Sequence, residues 1–369
     1  MNTEQKLLFE TIRRFVIDAG RPDAAAWAAR TEGTWPALAG LGLLGIAIDE
    51  GHGGTGGSAR DVATAMEAWG HGLLRSPIVS SAVVGATLIA RAGSPAQRQR
   101  WLPEIARGTC RVALADLEAG ARYARTAVDS RAQPHGTGFQ LEGAKTNVVD
   151  GDVADLLLVT ATITGACGPT LFLVPSQAPG VERRPFASID GGGCAHVEFH
   201  GVALSAEHRL GPAGGAETPL DEAMDRGLAA LCSEAVGAMQ ALLAQTISYL
   251  LQRQQFGQPL ARFQALQHQV ADMALDTGAA RSAALMAAAA VDAAEADTRV
   301  RRRAVAAAKS FVGEAGRRVG ETAVQLHGGM GMTDELAIGH HFKRLHAIDL
   351  TWGDAAHHLD VYSGLMDVT

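Results

Sequence analysis

Cysteine is scarce in this sequence, basic charge is not in excess, and long apolar runs are missing. Each shortage excludes a class of protein. Four cysteines (Cys110, Cys167, Cys194 and Cys232) are scattered over 369 residues. Their spacing matches neither a CxxC metal knuckle nor a disulfide framework, so reduced thiols of a cytoplasmic protein are expected. Lys and Arg total 32 against 39 Asp and Glu, a formal charge of −7. Nucleic-acid binders draw affinity from basic surface, which this balance does not provide. The longest apolar candidate, Ala283 to Ala290, is far too short to span a bilayer and lies between Arg281 and Asp292. No basic amphipathic stretch suggests a membrane-surface helix. The opening MNTEQKLLFETIRRF is charged from its fourth residue and reads as no signal peptide.

What is present falls into three blocks. At roughly 100–200 residues per domain, the length predicts two or three domains with cores large enough to need no disulfide or structural metal. The texture places boundaries at 1–109, 110–214 and 215–369. In the first block, apolar spacing predicts helices over Glu4–Ala19, Trp35–Leu44, Asp61–Trp69, Ser80–Ala92 and Pro95–Arg107. The second alternates and is punctuated by turns. VALADLE, GFQLEGAKTNVV, ADLLLVTATI, TLFLVP and HVEFHGVAL are its strand-like runs, the pattern of a small antiparallel barrel or sandwich. The third returns to helical period over Leu220–Gln254, Phe263–Ala294, Thr298–Leu326, Leu336–Leu345 and Ala355–Leu365, lengths typical of a helix bundle. The expected class is α+β.

Three segments invite a chemical reading. Gly51-His52-Gly53-Gly54-Thr55-Gly56-Gly57 is glycine-rich but sits between helices without a GK[ST] sequence, so a tight surface loop is expected rather than a phosphate loop. Arg253-Gln254-Gln255-Phe256-Gly257-Gln258-Pro259 joins two long helices. Arg253 could cap a helix C-terminus or pair a phosphate in bidentate fashion. Gln325-Leu326-His327-Gly328-Gly329-Met330-Gly331 follows a third long helix. It is either a glycine cap with an irregular link or a backbone cradle for an anion, with Gln325 as a side-chain donor. The histidines His340, His341, His346, His357 and His358 match no zinc spacing, and no metal is expected.

Together, RQQFGQPLARFQALQHQVADM and QLHGGMGM resemble the acyl-CoA dehydrogenase family, with matching order along the whole chain. HGGMGMTDEL, HHFKRL and WGDAAHHL are most similar to the small subunit of pimeloyl-CoA-type heteromeric members. The resemblance implies a helical N-terminal domain, a middle antiparallel β-barrel and a C-terminal four-helix bundle. It also implies an acyl-CoA substrate, an electron-transfer flavoprotein as acceptor, and a tetramer with FAD at its subunit interfaces. Carried over, Arg253 and Phe256 match residues touching the FAD of a neighbouring subunit. Gln325, Gly328 and Gly329 match the loop holding its pyrophosphate.

The chain departs from the family where the chemistry happens. The glutamate that removes the α proton falls on Gly353, and the alternative base position falls on Gly227. The flavin-packing Trp-Ile-Thr aligns with Asn147-Val148-Val149, and the Glu-Pro-Gly-Ala-Gly-Ser-Asp strand with Asp116 to Arg122. Gly353 keeps the backbone amide that in the family polarises the thioester. Three readings follow. The base comes from a related partner chain in a heterotetramer. Or the chain is a self-sufficient homotetramer with a displaced base, Asp354 first and Asp225 second. Or it is a non-catalytic structural member. A helical pairing of His358 with Asp354 is also expected.

Overall fold

A computed structural model describes residues 1–19, 33–125, 127–293 and 297–366. The first helices are α1 (Thr3–Ala19), α2 (Thr34–Gly40), α3 (Ala59–Gly70), α4 (Ala86–Ala92) and α5 (Pro95–Ala106). Their ends follow the sequence. Ser58 and Asp61 form a capping box on α3; Ser94 and Gln97 form one on α5, with Pro95 in its first turn. The helix expected from Ser80 begins earlier, as a π-helical run Ile78–Gly85 leading into α4. In the glycine-rich loop, the N–H groups of Gly53, Gly54, Thr55, Gly56 and Gly57 donate to carbonyls of residues 45–50. None is left for a phosphate, so the loop is a tight structural turn.

Between residues 112 and 210 lie two four-stranded sheets. One runs β1 (Val112–Ala115), β4 (Leu156–Ala161), β5 (Thr170–Pro175) and β8 (Arg209–Leu210) in spatial order. The other runs β2 (Arg131–His135), β3 (Gly138–Val149), β7 (Gly193–Ser205) and β6 (Val181–Ala187). They face each other across Leu141, Val159, Phe172, Val174, Val197 and Phe199. No closed barrel forms among the described residues, and β1 pairs parallel to β4, which corrects the all-antiparallel barrel implied by the family resemblance. The reason is visible in β4. Leu157 and Val159 point into the sandwich while Leu156 and Leu158 join the helical core. A strand covered on both faces reads as a continuous apolar run, and sheets of that kind accept parallel neighbours.

The remaining helices are α6 (Glu217–Gln252), α7 (Gln264–Asp292), α8 (Thr298–His327), α9 (Ala337–Leu350) and α10 (Ala355–Gly364). The last residue expected in α7, Ala294, lies outside the described residues. Alanines 280, 284, 287 and 288 of α7 and 306, 308 and 315 of α8 are buried, consistent with close helix approach. Helix α6 is long and apolar enough to cross a membrane by length and composition, but 83% of its most apolar window is buried inside the fold. All four cysteines are free; burial pushes the Cys110 and Cys232 thiols up to about 12.

Candidate functional site

Two places gather the residues singled out in the sequence. The first is a corner of the bundle where α6 ends, α7 begins and α8 ends. Gln254–Gln255 and Gln258–Pro259 pair as a two-residue hairpin, with Phe256 and Gly257 at its tip. Both tip residues have positive φ, 53° and 76°, as a two-residue turn of the primed type requires. Phe256 is 88% exposed, and its ring meets Phe263 edge-on with centroids 6.0 Å apart. The ends of α6 and α8 are locked together by Tyr249 and His327. Their rings stack at 4.3 Å, the Tyr249 hydroxyl donates to the His327 carbonyl at 3.3 Å, and His327 Nδ1 lies 2.8 Å from the Ala323 carbonyl.

That lock brings the two sequence motifs to one cleft. Arg253, Gln325, Gly328 and Gly329 all line an open space of about 610 Å³. Arg253 is exposed and forms no ion pair among the described residues. A Cβ at Gly328 or Gly329 would meet nothing within 4 Å, so the backbone there faces open space. The volume lies in the range of small-molecule sites, roughly 300–1,000 Å³. An unpaired guanidinium opposite bare glycine backbone is a donor set suited to phosphates.

The second place is the junction of α6, α10 and the α9–α10 turn, where both family base positions fall. It is filled. A Cβ on Gly227 would lie 2.6 Å from Val84 Cγ2 and 3.1 Å from Trp352 Cζ3. A Cβ on Gly353 would lie 2.6 Å from both His357 Cδ2 and His358 Nε2, and Gly353 has φ +120°, a conformation side chains rarely adopt. Lys309, fully buried, donates to the Gly353 and Asp349 carbonyls at 2.6 Å each and fixes this turn. The Gly353 N–H donates no hydrogen bond among the described residues.

The candidate displaced bases are engaged elsewhere. Asp354 is the N-cap of α10: it accepts from the His357 N–H at 2.8 Å and pairs with Arg122 at 3.1 Å. Burial alone would raise its pKa, but those donors hold it below the ordinary value. The expected pairing with His358 is not formed. His358 Nε2 instead faces the Trp352 carbonyl at 3.2 Å, and burial pushes this imidazole down to about 3. Asp225 is buried against Arg301 at 2.7 Å; desolvation outweighs the pairing and lifts it to about 6. It lines a cavity of about 220 Å³ beside Met224, Leu228, Arg302 and His358.

Next to this junction, Val149 borders a space of only about 80 Å³ between the three blocks of the chain, shared with Trp352 and Leu231. Val148, its neighbour in the strand aligned with Trp-Ile-Thr, is buried in the sandwich core. Four charged groups knit the same bay shut. Arg344 forks onto Glu234 at 2.7 and 2.8 Å and reaches Asp190 at 2.9 Å, while Arg75 approaches Asp190 at 3.4 Å. Burial would raise the Asp190 pKa, but the two guanidiniums hold it at about 2. Sequence reasoning missed this network because its members come from residues 75, 190, 234 and 344 with no local motif. The residues present therefore suit the nucleotide half of an FAD at the corner cleft, whereas the bay beside Val149 is narrow and bordered by paired charges.

Comparison with known proteins places these features in one family. A model described as acyl-CoA dehydrogenase, C-terminal domain, matches residues 217–362, and one described as acyl-CoA dehydrogenase, N-terminal domain, matches residues 2–109. The acyl-CoA dehydrogenase FadE27 of Mycobacterium tuberculosis is 30% identical over 334 residues, covering 87% of this chain and 84% of the relative. Among solved structures, a variant of the Tcur3481-Tcur3483 steroid ACAD is 31% identical with a TM-score of 0.86, over 98% of this chain and 97% of that one. The ChsE4-ChsE5 complex from Mycobacterium tuberculosis is 27% identical with a TM-score of 0.89, over 100% and 98%. The chain belongs to the acyl-CoA dehydrogenase family, whose members are FAD-dependent oxidoreductases.

Proposed function

We propose that this chain is the base-less subunit of a heteromeric acyl-CoA dehydrogenase, akin to the small subunit of pimeloyl-CoA-type enzymes. Its corner cleft holds the nucleotide half of an FAD whose flavin works in the active site of a related partner chain. That partner carries the glutamate. The reaction served is α,β-desaturation of an acyl-CoA thioester, with an electron-transfer flavoprotein receiving the electrons. The observation carrying this reading is the steric closure of both base positions. Gly227 is packed under Trp352 and Val84, and Gly353 under His357 and His358. A carboxylate at either place would displace buried side chains.

The division of labour follows from this chain's own groups. Arg253 offers a planar fork to a phosphate, stronger than a neutral donor because it is charged. Gln325 adds an amide donor, and Gly328 and Gly329 let backbone approach the same anion. Phe256, carried 88% exposed on the hairpin tip, supplies a flat apolar surface to whatever docks there. Bound flavin would supply the hydride acceptor. Proton removal would fall to the partner, since Asp354 is held by a helix end and by Arg122. The similar ChsE4-ChsE5 structure from Mycobacterium tuberculosis is a complex, which supports a partner for this chain. The domain limits 1–109, 110–214 and 215–369 are part of the same proposal.

The test is to purify the chain alone and together with a family member encoded beside it. Alone, it should carry little FAD and no dehydrogenase activity; with the partner, both should appear. A lone homo-oligomer with stoichiometric FAD and full activity would overturn the reading.

A further inference from the structure

We propose a second anion site, unrelated to the corner cleft, at the seam between α5 and β8. It would take a phosphate ester of nucleotide size. The seam holds an open cleft of about 810 Å³. Two guanidiniums border it, and each is tethered so that part of its fork stays free. The Arg100 guanidinium carbon lies over the Trp101 ring, 4.4 Å from its centroid. Stacking of this kind fixes the plane of the cation while leaving its edge donors available. Arg209 is anchored through Nε on the Gly211 carbonyl at 3.1 Å, which leaves its terminal nitrogens. Neither arginine has an ion-pair partner among the described residues.

The walls are held rather than loose. The Gln97 amide donates to the Glu207 and Arg209 carbonyls at 2.8 and 3.0 Å, tying the end of the sheet to α5. The Ser205 hydroxyl and His208 Nδ1 stand 2.9 Å apart and fix the adjoining turn. Leu156, Leu173 and Pro175 supply an apolar floor. Glu207 is the one carboxylate on the lining, against two arginines, in a chain whose net charge is −7. The cleft thus concentrates positive charge where the molecule as a whole repels anions. Its volume suits an ester larger than phosphate itself. No residue lining it also lines the corner cleft.

Intrinsic tryptophan fluorescence of the full chain reads this site, because Trp101 lies in it and no described residue lining the corner cleft is a tryptophan. Titration with ADP should quench the signal saturably. Inorganic phosphate should bind more weakly and adenosine should not bind. Arg100→Ala and Arg209→Ala should each weaken ADP by about tenfold, the effect of losing one charge-assisted contact. Trp101→Phe should remove the signal while calorimetry still detects ADP. Arg253→Ala should leave the quench in place, which separates this site from the proposed FAD cleft. The inference is overturned if ADP gives no quench, if the double variant Arg100→Ala/Arg209→Ala binds as the parent does, or if Arg253→Ala abolishes the effect. Equal affinity for inorganic phosphate and ADP would overturn the assignment of a nucleotide-sized ligand.

Discussion

Gly227 lies in the first third of α6 and Arg253 caps its C-terminal end, roughly 40 Å apart along the axis at 1.5 Å per residue. Around Arg253 the residues that the family resemblance matches to FAD contacts line one open cleft of about 610 Å³. Around Gly227 the space for a base is filled, with Trp352, Val84 and two histidines at the glycines, and a buried ion network borders a bay of about 80 Å³. Neither end is simply eroded. A decayed site would keep its hole and lose its donors, whereas here large side chains occupy the hole. The contrast separates two functions that the family resemblance places within one protein: holding a nucleotide and doing chemistry on a thioester.

If the filled end is truly closed, restoring a base should be costly. Gly227→Glu would press a side chain into Val84 and Trp352 and bury an uncompensated charge. A loss of about 3–5 kcal/mol is expected in chemical denaturation, with no activity gained. A soluble, stable Gly227→Glu chain would break the comparison at its strongest point. Gly353→Glu should cost about 2–4 kcal/mol, from the left-handed backbone and from collision with the two histidines. Adding His357→Ala and His358→Ala should recover part of that loss, which thermal melting of the series would measure.

At the open end, substitution should leave the fold alone and change only binding. Arg253→Ala in the partner-bound assembly should weaken FAD on the order of 10- to 100-fold, with Arg253→Lys intermediate because an ammonium cannot fork. Equilibrium dialysis of flavin against unchanged circular dichroism tests both parts. The smallest effect is one of pH. The folded pKa of Asp190, held at about 2, lies below its ordinary 3.8. Its contribution, on the order of 2 kcal/mol, is therefore complete above about pH 4 and lost as pH falls toward 2. Asp190→Asn should flatten that acid limb of the stability curve.

Much of this was legible in the chain itself. The helices announced themselves by period and caps, and GFQLEGAKTNVV matches β3 residue for residue because its bounding turns are explicit. β2 and β6 were not anticipated: each carries a proline, Pro134 or Pro185, and β6 is largely exposed, so neither shows clean alternation. The parallel pairing of β1 with β4 joins segments more than 40 residues apart, beyond any local signal. Arg253 and the Gln325 loop stood out in the sequence because each sits in a compact motif, and the fold brings both to one cleft. That Gly227 and Gly353 are crowded shut was not, since the crowding comes from Val84, Trp352 and two histidines on other elements or turns. That Asp354 caps a helix was not legible either, since the cap depends on where α10 begins.

The most direct test counts flavin per chain in the purified assembly of this protein with its base-bearing partner. One FAD for every two chains, held more weakly on Arg253→Ala, is the predicted result. One FAD bound by every chain would mean that this chain holds a flavin of its own, and would contradict the account.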